Sequence, residues 1–205
     1  MKKIIIRNLI AIVLLAAAVL LVLKFVRPQH EVSPEAKDRF NKNIQLSKAF
    51  LQDHSDFNQD VVFLADMAIK SRYNRFYVYD VKNDSVLHKG LVAHGKGSNT
   101  GTYGELQFSN VEGSNMTSLG NYKVGVDYVG RFGKSYKLHG LDKTNDQAFA
   151  RYVVLHTYTF MPHDEQLVSI INSEGCPMVS NETFKILEKI IDNSKKPILL
   201  RIYYK

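Results

Sequence analysis

The 205-residue chain carries 27 Lys and Arg against 20 Asp and Glu, a formal charge of +7 at neutral pH, and a single cysteine. Five of the basic residues and no acid fall in the first 28 positions, which leaves +2 for the rest. With no Lys/Arg cluster and no zinc or RNA-binding signature in that remainder, nucleic acid is excluded as a partner. One cysteine rules out a disulfide scaffold, and the remaining residues suffice for one domain with its own core.

Lys2, Lys3 and Arg7 precede an uncharged run from Leu9 to Leu23, which is followed by Lys24 and Arg27. Residues 1–28 therefore read as an N-terminal signal anchor, a transmembrane segment tying the protein to the membrane. Such an anchor would put the following domain outside the cytoplasmic membrane, in the cell envelope. A cleaved signal peptide is the alternative, since Ala16, Ala17 and Ala18 are small but lie inside the run.

Residues 29–60 read as a helical linker region. Ser33-Pro34-Glu35 supplies an N-cap, a proline at the first helical position and an acid in the first turn, and Phe40, Ile44 and Leu51 follow at helical spacing. Whether this helix packs on the domain or forms a stalk is open at this level.

From residue 61 to 205 the pattern is mainly β with peripheral helices. Arg75 to Val81, Asn83-Asp84 and Ser85 to Ala93 predict a hairpin. Gly95 to Gly104 reads as a loop. Further strands are expected at Gly120 to Tyr128, Ser135 to Leu138 and Tyr152 to Leu155, with a short helix near Asn145 to Ala150. Ser180 caps a helix with Phe184, Leu187, Ile190 and Ile191 on one face, and Pro197 to Tyr203 closes the fold as a strand.

Cys176, in Ser173-Glu174-Gly175-Cys176-Pro177, has no disulfide partner, so it is either an inert buried thiol or a nucleophile. A nucleophilic cysteine needs a base within reach, something to orient that base, and backbone donors for the developing oxyanion. The parts are present. Gly175 permits a sharp turn that brings amides close to a carbonyl oxygen, Pro177 leads toward the Ser180 helix, whose start would favour thiolate, and His156 ends the apolar run Tyr152 to Leu155. A structural histidine and a buried cysteine remain the competing reading.

The segments Leu91-Val92-Ala93-His94-Gly95, Phe108-Ser109-Asn110 with Gly113-Ser114 and Ser118-Leu119-Gly120, Leu138-His139-Gly140-Leu141-Asp142, Asn145 with Ala148, Ala150 and Arg151, the His156 strand, and Ser173 to Pro177 occur in one order. Together they resemble the murein L,D-transpeptidase catalytic domain family over about Val61 to Met178. The resemblance implies a β-sandwich-like catalytic domain acting on peptidoglycan stem peptides, with no cofactor. It implies Cys176 as nucleophile, His156 as base and Ser173 as the hydroxyl beside the nucleophile. Gly175 and Cys176 amides match the family's oxyanion hole, and the Thr157 carbonyl its imidazole-orienting group.

Two departures stand out. Glu174 replaces the histidine many members carry before Gly-Cys, and Thr157 replaces the glycine that commonly follows the base. His94 is a candidate for lining the donor cleft or for holding the loop after it, Tyr158 is a candidate substrate-lining tyrosine, and His139 competes with His156 as base. No metal is expected, because the histidines show no ligand spacing. An L,D-carboxypeptidase that passes the same thioester to water, and a non-catalytic peptidoglycan-binding relative, are the alternative functions.

Overall fold

A computed structural model of the chain describes residues 2–25, 31–101 and 104–205, with the side chains of 2–5, 7 and 19–25 excepted. Two compact units emerge, Met1–His30 and Glu31–Lys205. The first is helix α1 (Lys2–Phe25), whose side chains from Leu9 to Leu15 include Ile10, Ile12, Val13 and Leu14, all exposed. Residues 1 and 26–28 of the expected anchor, and residues 29 and 30 of the expected linker region, lie outside the described residues. Among the described residues no helix is long and apolar enough to cross a membrane, so the expected transmembrane segment is not found as a span there.

The second unit is built on one nine-stranded sheet. In chain order its strands are β1 (Val61–Asp66), β2 (Phe76–Asp80), β3 (Ser85–Gly90), β4 (Val92–Ala93), β5 (Gly120–Gly130), β6 (Gly133–Gly140), β7 (Val154–Thr157), β8 (Met178–Val179) and β9 (Leu199–Tyr203). They are arranged β3-β2-β1-β9-β5-β6-β7-β8-β4. Only β1 with β9 and β7 with β8 pair in parallel.

Alternation along β1 and β2 sends residues to opposite faces. Phe63, Ala65, Phe76 and Val78 enter a core completed by Tyr122, Val124, Tyr136, Leu138 and Leu155 from the middle strands, under Phe184 and Leu187 of helix α3 (Asn181–Asn193). Val62, Leu64, Tyr77 and Tyr79 point the other way, where helix α2 (Pro34–Asp53) covers them.

Both helices start as their sequences dictate. The Ser33 hydroxyl accepts the Ala36 N–H at 3.3 Å and that of Ser180 accepts the Thr183 N–H at 3.1 Å, each worth about 1 kcal/mol. The α2 helix packs on the domain: Phe40 lies on Tyr77 with ring centroids 4.7 Å apart. Arg39 pairs with buried Asp66 at 3.1 Å, and Arg201 of β9 donates to Asn43 of α2 at 2.7 Å. Residues 31–60, set apart from sequence as a linker region, thus sit in the same compact unit as the strands.

Three local expectations change. The run Ser85 to Ala93 divides, because β3 stays in the hairpin while β4 leaves to pair with β8. Asn145 to Ala150 forms successive turns rather than a helix, ended by Tyr152 at φ +56°. Lys96–Thr100, within the expected loop, is a short 3-10 helix; residues 102 and 103 of that loop lie outside the described residues.

Candidate active site

Cys176 and His156 reach the same place by different routes. His156 is the third residue of β7, just past the β6–β7 pairing that ends at Leu155, and it sits opposite Met178 in the parallel β7–β8 ladder. It is not at a sheet edge. Cys176 lies two residues before that ladder, on the loop that enters β8. Both line a cleft of about 670 Å³ with Ser173, Glu174, Arg151 and Tyr158.

The imidazole is 3% exposed, and its Nδ1 lies 2.9 Å from the Thr157 carbonyl oxygen. A carbonyl only accepts, so the proton sits on Nδ1 and Nε2 keeps its lone pair. Burial lowers the His156 pKa, opposed by the Thr157 hydrogen bond, so the ring is neutral at pH 7. Thr157 therefore acts through its backbone, while its hydroxyl donates to Asn181 at 2.5 Å. Phe132, in the turn between β5 and β6, stacks on the imidazole with centroids 4.6 Å apart and planes 25° apart.

The Cys176 sulfur accepts the Val154 N–H at 3.4 Å and its S–H points at the Tyr152 carbonyl, 3.7 Å away. Burial raises the thiol pKa; the Val154 N–H and the Arg151 charge pull it down, and Glu174 pushes it up. The expected thiolate is not what the site holds at rest: β8 follows Cys176 before α3 begins, and burial raises the thiol pKa above its ordinary value, so the thiol stays protonated. An external base is thus required to make a nucleophile.

Ser173 shapes the turn. Its hydroxyl donates to the Cys176 carbonyl at 2.6 Å and accepts the Gly175 N–H at 3.2 Å. The Gly175 amide is therefore engaged within the loop, and the Cys176 N–H is left without an internal partner among the described residues. Gly175 adopts φ +121°, and a Cβ there would lie 3.0 Å from the Met116 carbonyl oxygen. Gly95 permits a close approach of the two segments, since a Cβ would fall 2.2 Å from the Asn115 oxygen and 2.8 Å from the Gly175 Cα. Thr117 bridges the two segments, its hydroxyl accepting the Gly95 N–H at 2.9 Å and donating to the Gly175 carbonyl at 3.3 Å. Glu174 points outward and pairs with Lys96 at 2.9 Å.

His94 is not among the residues that line the cleft. It is buried beneath the loop: its carbonyl accepts the Ser173 N–H at 2.9 Å, its Nδ1 accepts from Arg75 at 2.7 Å and its Nε2 donates to Asn99 at 2.8 Å. Burial, and then the Arg75 charge, lower its pKa to about 4. Arg75 is itself fully buried, with further hydrogen bonds to the carbonyls of Val92, Ile69 and Met67. Burial lowers its pKa to about 9, against the raising effect of Asp66, so it remains a cation at neutral pH. Tyr158 lines the cleft and meets Phe132 edge-on, whereas His139 on β6 stacks on Phe149 and does not line the cleft.

Sequence reasoning gave no role to Arg75, Thr117, Arg151 or Phe132. Arg151 binds the Ser109 and Met116 carbonyls at 2.9 and 2.8 Å and brings a positive charge beside the thiol. Nothing in the sequence marks Arg75 as buried. Phe132 did carry a signal, a large apolar residue between Gly130 and Gly133 where a turn usually holds polar ones. Among the described residues no group of three His, Cys, Asp or Glu is placed to hold a metal.

A neutral imidazole whose Nδ1 is held by a carbonyl and a protonated thiol line one cleft, the two side-chain types that nucleophilic acyl transfer uses. Residues 32–203 match the family model of the L,D-transpeptidase catalytic domain, and the chain belongs to that family. Similar solved structures include the helical cell shape determining protein Pgp2 from Campylobacter jejuni, at 12% identity over 71% of this chain and 48% of that one, TM-score 0.47. Another is an L,D-transpeptidase from Mycobacterium smegmatis, at 12% identity over 70% and 58%, TM-score 0.42. The chain spans roughly half the length of these two structures. No curated protein matches it.

Proposed function

We propose that the protein is a peptidoglycan L,D-transpeptidase that works by a Cys176 thioester. The observation that carries this reading is the cleft shared by Cys176 and His156, whose Nδ1 is held by Thr157 so that Nε2 is free to take the thiol proton. In the first half-reaction His156 removes that proton and the sulfur attacks the carbonyl joining the third and fourth residues of a donor stem tetrapeptide. The C–N bond breaks, His156 returns the proton to the leaving nitrogen, and D-alanine departs. In the second, the acceptor amine attacks the thioester carbonyl, the C–S bond breaks, and His156 passes the amine proton to the sulfur. The Cys176 N–H is the donor we assign to the oxyanion.

We further propose that the N-terminal segment anchors the protein, with the catalytic domain outside the cytoplasmic membrane where its substrate lies. Support comes from the sequence, in which residues 9–23 carry no charge between basic flanks.

Incubation with a tetrapeptide stem and an amine acceptor, read by mass spectrometry of the products, is expected to give free D-alanine and a crosslinked dimer. Cys176→Ala is expected to remove both without unfolding the domain, and His156→Ala to slow them about 10²–10⁴-fold. Crosslinking that survives Cys176→Ala would overturn the proposal. Tripeptide without dimer would make the protein a carboxypeptidase, and absence of any product, with no carbapenem adduct, a binding relative.

A further inference from the structure

Phe132 belongs to none of the three hydrophobic clusters of the domain. It sits at the tip of the β5–β6 hairpin, where Gly130 pairs with Gly133 and leaves Arg131 and Phe132 as the two-residue turn. The neighbouring hairpin residues Val126 and Val129 face solvent, at 68% and 82% exposed. Phe132 is 39% exposed, and its covered part lies on the flat face of His156 and against Tyr158, met edge-on at a centroid distance of 5.9 Å, with the Arg131 guanidinium 5.5 Å from its ring. Tyr158 in turn meets Phe160 at 5.5 Å and packs against a separate small cluster, so the Phe132 ring is braced from behind. A hairpin-tip aromatic that leaves the core uncontacted and covers a base serves the site, not the fold.

We infer that Phe132 is a positioning residue that decides which nucleophile completes the reaction, favouring an amine over water. The inference rests on the thioester reading above. At a centroid separation of 4.6 Å there is no room for water between the two rings, so the imidazole is reached through its Nε2 edge from within the cleft. Either acceptor must give a proton to that nitrogen while attacking the thioester carbonyl; the amine leaves an amide and the water a carboxylic acid, and each returns the Cys176 thiol. An acceptor stem fills the cleft as it binds and presents its amine there, whereas water depends on open access beside the base. Closing one face of the ring therefore penalises water selectively.

The experiment is the ratio of crosslinked dimer to hydrolysed tripeptide formed by the 205-residue chain from a tetrapeptide stem with saturating acceptor. Phe132→Ala is expected to move the ratio toward tripeptide by about tenfold while D-alanine release continues. Phe132→Tyr, which keeps a stacking ring, should restore most of the wild-type ratio, and Phe132→Leu should fall between them. A variant that merely folded poorly would lose both products in proportion and leave the ratio where it was. An unchanged ratio in both Phe132→Ala and Phe132→Leu, with D-alanine release kept at the wild-type level, overturns the inference but leaves the transpeptidase reading intact. If the wild-type protein releases no D-alanine at all, it is the transpeptidase reading that fails.

Discussion

Burial moves three titratable groups at and beneath the cleft, Cys176, His156 and His94. The Cys176 thiol is pushed up and the His156 imidazole down, so at neutral pH both are uncharged. Because the base must be unprotonated, acylation is expected to lose rate only as pH falls below the ordinary histidine value of about 6.5, read from adduct formation against pH. An acid limb well above pH 7 would contradict this. His94 has a folded pKa of about 4 against 6.5 unfolded, so between those values the unfolded chain binds the extra proton. Stability is therefore full above pH 6.5 and declines by up to about 3 kcal/mol as pH falls to 4, measurable from denaturant midpoints. Arg75→Ala leaves the Val92 and Ile69 carbonyls and His94 Nδ1 without their donor, and is expected to cost at least about 3 kcal/mol. Gly175→Ala meets both the left-handed backbone and the Met116 carbonyl, so a loss of about 1–3 kcal/mol is expected together with loss of acylation.

At the scale of elements, the site is a junction of short pieces held by long ones. The strands β4 and β8 have two residues each, and β8 exists because β7 lies parallel on one side and β4 antiparallel on the other. No sequence period can announce a two-residue strand fixed by partners some 20 and 85 positions away, which is why β4 is indistinguishable in sequence from the hairpin arm. Elements that make their own signal were legible: α2 and α3 through serine caps and helical spacing, and the β2–β3 hairpin through alternation around Asn83-Asp84, where Asp84 adopts φ +53°. Cys176 and His156 stood out as candidates because a glycine-cysteine turn and a histidine closing an apolar strand are local features. What positions them was not, since Arg75, Thr117 and Phe132 act on residues 19, 58 and 24 positions away. Ser33→Ala removes only the local cap of α2, so a loss of about 1 kcal/mol in denaturant unfolding is expected. The cleft should keep its acylation rate.

For the whole molecule, α2 is part of the folding unit: it covers Val62, Leu64, Tyr77 and Tyr79, which would otherwise face water. Removing residues 31–53 is expected to yield an aggregating or unfolded chain, seen as loss of a cooperative melt, whereas removing residues 1–30 should leave the second unit folded. The proposed anchoring is read by fractionation, with the full chain expected in the membrane pellet and residues 31–205 in the supernatant. The central claim is that Cys176 takes an acyl group from a stem peptide, and the mass of the intact protein after incubation with a tetrapeptide stem alone tests it most directly. The expected result is an adduct equal to the stem minus its terminal D-alanine, absent in Cys176→Ala. An unmodified wild-type mass, or the same adduct on Cys176→Ala, would contradict it.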